Sequence, residues 1–207
     1  MAGKRILLVE GKDDEHVFRA LFGKRNLPQP TIHQHEGYLR LLEAMPERLK
    51  ESDVEAIGIV LDADTSLDGR WEAVRHRLVV AGYAATPAQP DALGLVLMPP
   101  PGTILPRVGV WLMPNNQVPG ILEDFLRYLV PPGNALFGYA QQSVNGIAED
   151  LRLFQAVDTP KALLHTWLAW QKEPGRPLGL SITAGFLEHT AAEAETLVNW
   201  MQRLFFQ

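Results

Sequence analysis

The sequence predicts an α/β fold with a mostly parallel central sheet flanked by helices. Two observations carry this: short all-apolar runs recur along the first 113 residues, and segments of helical periodicity separate them. A third is where the acids fall, directly after those runs, at the edge where open parallel sheets bind ligands.

Ile6-Leu7-Leu8-Val9 is apolar on both faces, as a strand inside a parallel sheet must be. Glu10-Gly11 ends it, and Asp13-Asp14-Glu15 supplies the acids favoured at a helix N-terminus. Val17, Phe18, Leu21 and Phe22 give that helix one apolar stripe, with Gly23 as its stop. Thr31 to His35 reads as a weak second strand, and Leu39 to Met45 as a second helix interrupted at Pro46. Ala56 to Leu61 is another buried strand, closed by Asp62-Ala63-Asp64. Ser66 or Asp68 caps a third helix, in which Trp71, Val74 and Leu78 share a face. Leu93–Met98 and Val108–Met113 are two further strands, parted by the breaker Pro99-Pro100-Pro101-Gly102. Pro119 suits the first position of a helix whose apolar face is Ile121, Leu122, Phe125, Leu126 and Leu129. Pro131-Pro132-Gly133 marks the boundary between an α/β domain, 1–130, and a helical extension, 131–207, packed on it, with helices expected at 140–154, 159–172 and 190–206.

Composition narrows the function. The formal charge of −5 excludes a protein that coats nucleic acid by bulk charge, though not an enzyme that touches it locally. The absence of cysteine excludes disulfides, thiolate nucleophiles and thiolate-bound metal. Met1 to Arg5 leads into only four apolar residues, too few for a signal-peptide core, and no stretch approaches a membrane span. A cytoplasmic protein is the expectation.

The acids form one constellation. Glu10, Asp62 and Asp64 stand at strand ends, and Glu123 and Asp124 in the first turn of the helix after Met113. Parallel strands bring such residues together across a hundred positions of sequence. Hard divalent cations take carboxylate oxygens, and the rigidity of strand ends suits the two-ion chemistry of phosphoryl transfer. The competing reading is local: aspartates favour turns, and Asp13, Asp14, Glu15, Glu123 and Asp124 all suit helix N-termini. His33 and His35 alternate on a strand without metal-ligand spacing, and His165 reads as a packing or capping residue. Arg70, Arg75 and Arg77 are either a solvated helix face or phosphate contacts. Trp167, Trp170 and Trp200 read as core or dimer contacts.

Leu8-Val9-Glu10-Gly11-Lys12-Asp13-Asp14 and Leu61-Asp62-Ala63-Asp64 together resemble a Toprim domain, with its strand-ending Glu-Gly and later Asp-x-Asp. The segments Val108 to Pro114 and Gly120 to Asp124 are similar to those of small Toprim-like proteins related to the OLD-family nucleases. The resemblance implies a Toprim-like Rossmannoid fold and a Mg²⁺- or Mn²⁺-dependent nuclease using two ions. Glu10 would act as general acid/base or beside a metal. Asp14, Asp62 and Asp64 would serve the first metal, and Glu123 the second. Lys161, or Lys172, would stabilise charge in the transition state. DNA or RNA is then a transient partner, and a homodimer or a separate ATPase stays open, since no phosphate-binding Gly-x-x-x-x-Gly-Lys-Ser/Thr loop occurs. The alternative is a non-catalytic or accessory module that binds metal, nucleotide or a partner protein.

Overall fold

A computed structural model describes residues 3–207; of the N-terminal segment read above, Met1 and Ala2 lie outside the described residues. The apolar runs form β1 (Lys4–Val9), β2 (Thr31–Gln34), β3 (Val54–Asp62), β4 (Leu95–Leu97) and β5 (Arg107–Met113). They make one sheet of order β2-β1-β3-β5-β4, parallel throughout except that β4 runs antiparallel to β5. The antiparallel edge follows from the chain path. β4 and β5 are consecutive and joined by the proline-rich stretch without a crossover helix, and a parallel neighbour would need one.

Successive strand residues face opposite layers. Ile6 and Leu8 enter one core, with α2 (Tyr38–Arg48) and α3 (Leu67–Ala81), while Leu7 and Val9 enter the other. That second core is shared with α1 (Lys12–Lys24), α4 (Leu122–Tyr128), α6 (Thr159–Ala169), α7 (Leu178–Thr183) and α8 (Ala192–Phe206). The architecture is therefore three-layered, helices on both faces of a mostly parallel sheet.

Several local expectations need correction. Pro46 does not interrupt α2, which runs through it. A proline leaves the carbonyl four residues earlier without its helical donor; here that is Leu42, and Arg77 Nε donates to its oxygen at 2.9 Å. Arg77 is thus a structural cap, and Arg75 pairs with Glu72 on its own helix. Pro119 precedes rather than opens α4, since Ile121 is the N-cap and Asp124 Oδ2 accepts its N–H. The helix expected over 140–154 lies earlier, as α5 (Ala135–Asn145), capped by Asn134. The six-residue α7 was not expected at all.

The segment after Pro131 packs against the sheet and supplies part of its core. α8 lies directly over the sheet, where Gly58 of β3 and Gly109 of β5 are register partners. A Cβ on Gly109 would sit 2.7 Å from Leu204 Cδ2, and one on Gly58 3.1 Å from both Leu204 Cδ2 and Phe205 Cζ. The paired glycines let the helix approach the backbone, and Trp200 closes the contact by donating to the Leu95 carbonyl at 2.9 Å. Trp167 and Trp200 are buried as expected, whereas Trp170 is exposed and meets exposed Tyr139 with the rings tilted at 41°. Among the described residues no helix is long and apolar enough to cross a membrane.

Candidate functional site

Because β1, β2, β3 and β5 are parallel, their C-terminal ends share one edge of the sheet. A cleft of about 280 Å³ opens there, lined by Glu10, Gly11, Lys12, Asp13, Asp14, Glu36, Gly37, Asp62, Leu122, Glu123 and Lys161. Four of the five expected metal ligands and the expected lysine therefore meet in one place.

Backbone amides fix the acids. Strand pairing of β1 with β3 sets Glu10 beside Asp62, whose N–H donates to Glu10 Oε1 at 2.8 Å. Gly11 N–H donates to Asp14 Oδ2 at 3.0 Å, so Asp14 caps its helix as the local reading held. Its side chain is nonetheless buried and faces the other acids. The loop after β5 is stitched back over the end of β3: Asp64 N–H donates to the Gly120 carbonyl at 2.8 Å, and Leu122 N–H to Asp62 Oδ1 at 2.9 Å. That stitching brings buried Glu123 into the cleft, while Asp124, one residue on, turns to its own helix cap and to Arg127.

The electrostatics follow from burying like charges together. Burial raises the proton affinity of Glu10, and the Asp62 N–H and Arg70 oppose the rise. Asp14 is pushed up to about 7, by burial first and by Glu10 second. Asp62 is held well above the ordinary aspartate range by burial and by the charges of Asp14, Glu10 and Glu123. Burial likewise raises Glu123, with Lys161 and His165 pulling the other way. Such a cluster holds protons or a cation, since isolated carboxylates in a low-dielectric site are costly.

Asp64 stands apart. It is not in the cleft lining; its backbone is left-handed at φ 53°, and its carboxylate pairs with Arg70 at 2.9 Å. Its charge still reaches Glu10. Among the described residues, no three His, Asp or Glu side chains already enclose a point that would hold an ion. One carboxylate oxygen each of Glu10, Asp14 and Asp62 accepts from a backbone N–H instead. The donor set nevertheless suits Mg²⁺ or Mn²⁺, all hard oxygen, and such ions bind through one or two carboxylates while keeping several waters.

Lys161 enters from the first turn of α6 and lowers the proton affinity of both Glu10 and Glu123; Lys172 lies outside the cleft. His165, one turn beyond Lys161, is exposed rather than packed, and its charge is felt at Glu123. The four-residue spacing of Lys161 and His165 was the signal for their shared face. Glu36 and Gly37 line the cleft from the end of β2, a place their position after a strand could have suggested. His33 and His35 are half-buried, lowered in proton affinity by burial, and outside the cleft.

No curated protein and no solved structure matches the chain. The chain belongs to the family described as Protein of unknown function (DUF3226), whose sequence model matches residues 4–206.

Proposed function

We propose that the protein is a Toprim-like, Mg²⁺- or Mn²⁺-dependent phosphodiester hydrolase acting on DNA or RNA. The observation that carries this reading is the meeting of Glu10, Asp14, Asp62 and Glu123 with Lys161 in one cleft at the carboxyl edge of the sheet. Four mutually repelling acids are an expensive way to build a structural edge, and a divalent cation offsets their charge.

Asp62 and Asp14 would hold the first ion, joined by Asp64 once released from Arg70, and Glu123 a second. When bound, the metal supplies Lewis acidity at the phosphoryl oxygen and a more acidic water. Glu10, its proton affinity raised by burial and opposed by the charge of Lys161, would take and return the proton. Lys161 offers its ammonium to charge developing on phosphate oxygens.

The test is incubation of purified protein with labelled single- and double-stranded DNA and RNA, with Mn²⁺ or with chelator. Metal-dependent cleavage that disappears in Asp62→Asn supports hydrolysis. Mn²⁺ or oligonucleotide binding without cleavage of any of the four substrates supports the accessory module instead. Cleavage unaffected by Asp62→Asn refutes the site.

A further inference from the structure

Arg70 is an unusual occupant of its position. It sits in the first turn of α3, whose N-terminus repels cations. It is mostly buried, 21% of its side chain exposed, with the guanidinium carbon 3.5 Å from the ring centre of Tyr38. Tyr38 opens α2 directly after Glu36 and Gly37 of the cleft wall. Among the described residues its one hydrogen-bond partner is Asp64, although a guanidinium has five N–H donors. The neighbouring Arg75 and Arg77 are spent on α3 and on the Leu42 carbonyl, while the charge of Arg70 reaches Glu10.

A planar cation clamped on an aromatic face, beside a cleft of acids and with unspent donors, fits a phosphodiester oxygen pair. It also stands on the one acid of the Asp-x-Asp that is missing from the cleft lining. We propose that Arg70 is the phosphate-gripping residue of this site. Arg70 pairs with Asp64 in this structure; when Asp64 turns to a divalent ion, Arg70 passes to the backbone phosphate of a nucleic acid. This inference rests on the metal-dependent reading of the cleft. Tyr38 keeps the guanidinium plane in place during the exchange, as cation–π contact needs no particular hydrogen-bond partner.

The test uses the full chain and two binding readouts, with no turnover. Mn²⁺ binding is followed by calorimetry. Binding of fluorescent oligothymidylate and oligouridylate is followed by anisotropy with Ca²⁺ in place of Mn²⁺, which separates DNA from RNA as the phosphate source. Arg70→Gln frees Asp64, so Mn²⁺ should bind about threefold tighter, while one or both oligonucleotides bind about tenfold weaker. Tyr38→Leu leaves the ion pair, and should weaken oligonucleotide binding without tightening Mn²⁺. Loss of both affinities together in Arg70→Gln, or no change in either, overturns the exchange. If the wild type itself binds no Mn²⁺, the metal reading falls and the exchange with it. The oligonucleotide arm then decides separately whether Arg70 contacts phosphate.

Discussion

Replacing Asp14 with asparagine should make the metal-free protein more stable, and more so as pH rises. Asp14 is 8% exposed and its proton affinity is raised from an ordinary aspartate value of 3.8 to about 7. The folded chain therefore holds a proton there that the unfolded chain has released. Stability falls as pH climbs through the window from about 4 to about 7, and the full cost is present above it. For Asp14 alone that cost is at most roughly 4 kcal/mol, from about 1.4 kcal/mol for each tenfold change in proton affinity. Asparagine keeps an oxygen to accept the Gly11 N–H but cannot ionise. Urea denaturation with chelator should find Asp14→Asn about 2–4 kcal/mol more stable than wild type at pH 8, a rise in Tm of roughly 4–16 °C for a chain of this size. The two should nearly coincide at pH 4. Millimolar Mn²⁺ should restore the wild type at pH 8 and do less for the variant. A variant less stable at pH 8, or an advantage that does not change with pH, would refute the account of a crowded carboxylate cluster.

Arg77→Ala should cost about 1–3 kcal/mol by leaving the Leu42 carbonyl without a donor. In a Pro46→Ala background the helix supplies its own N–H, and the same substitution should cost measurably less by a double-mutant cycle. Gly109→Ala should destabilise by about 1–3 kcal/mol, because the new methyl meets Leu204 of α8; Leu204→Ala in the same chain should recover part of that loss. Lys161→Met removes the cation that lowers the proton affinities of Glu10 and Glu123. Mn²⁺-dependent cleavage should lose roughly tenfold to a hundredfold in kcat/KM. The acid limb of its pH profile should move to higher pH, because both carboxyls then hold their protons more tightly.

Much of the site was legible because it depends on chain direction alone. A buried parallel strand must be apolar throughout, so the first polar residue marks its carboxyl end, and Glu10 and Asp62 mark by position the edge where open parallel sheets commonly bind ligands. Glu123 needed more: it enters through the Asp64–Gly120 backbone bridge and the Leu122–Asp62 contact, neither of which has a sequence period. Asp64 looked equivalent to Asp62 at a spacing of two. The strand has ended by then, however, and a left-handed turn sends the second carboxylate to Arg70. Pro46 illustrates the same limit, since its tolerance depends on an arginine thirty-one positions away. The closing helix α8 had a readable period, but its role as a layer of the sheet lay in two glycines, each unremarkable in its own strand.

Those glycines also bear on the order in which the protein is made. The face of β3 and β5 that α8 covers is built from residues synthesised long before Ala192 to Phe206. Until that last helix docks, Leu7, Val60 and Trp111 lack much of their cover. A chain stalled before it would expose a smooth strip of central strand, with glycines where side chains usually roughen the surface. Such a strip is adhesive toward other unfinished chains. The protein should therefore depend more on its final fifteen helical residues for soluble production than on any loop, and overproduction of the chain cut before Ala192 should yield aggregate.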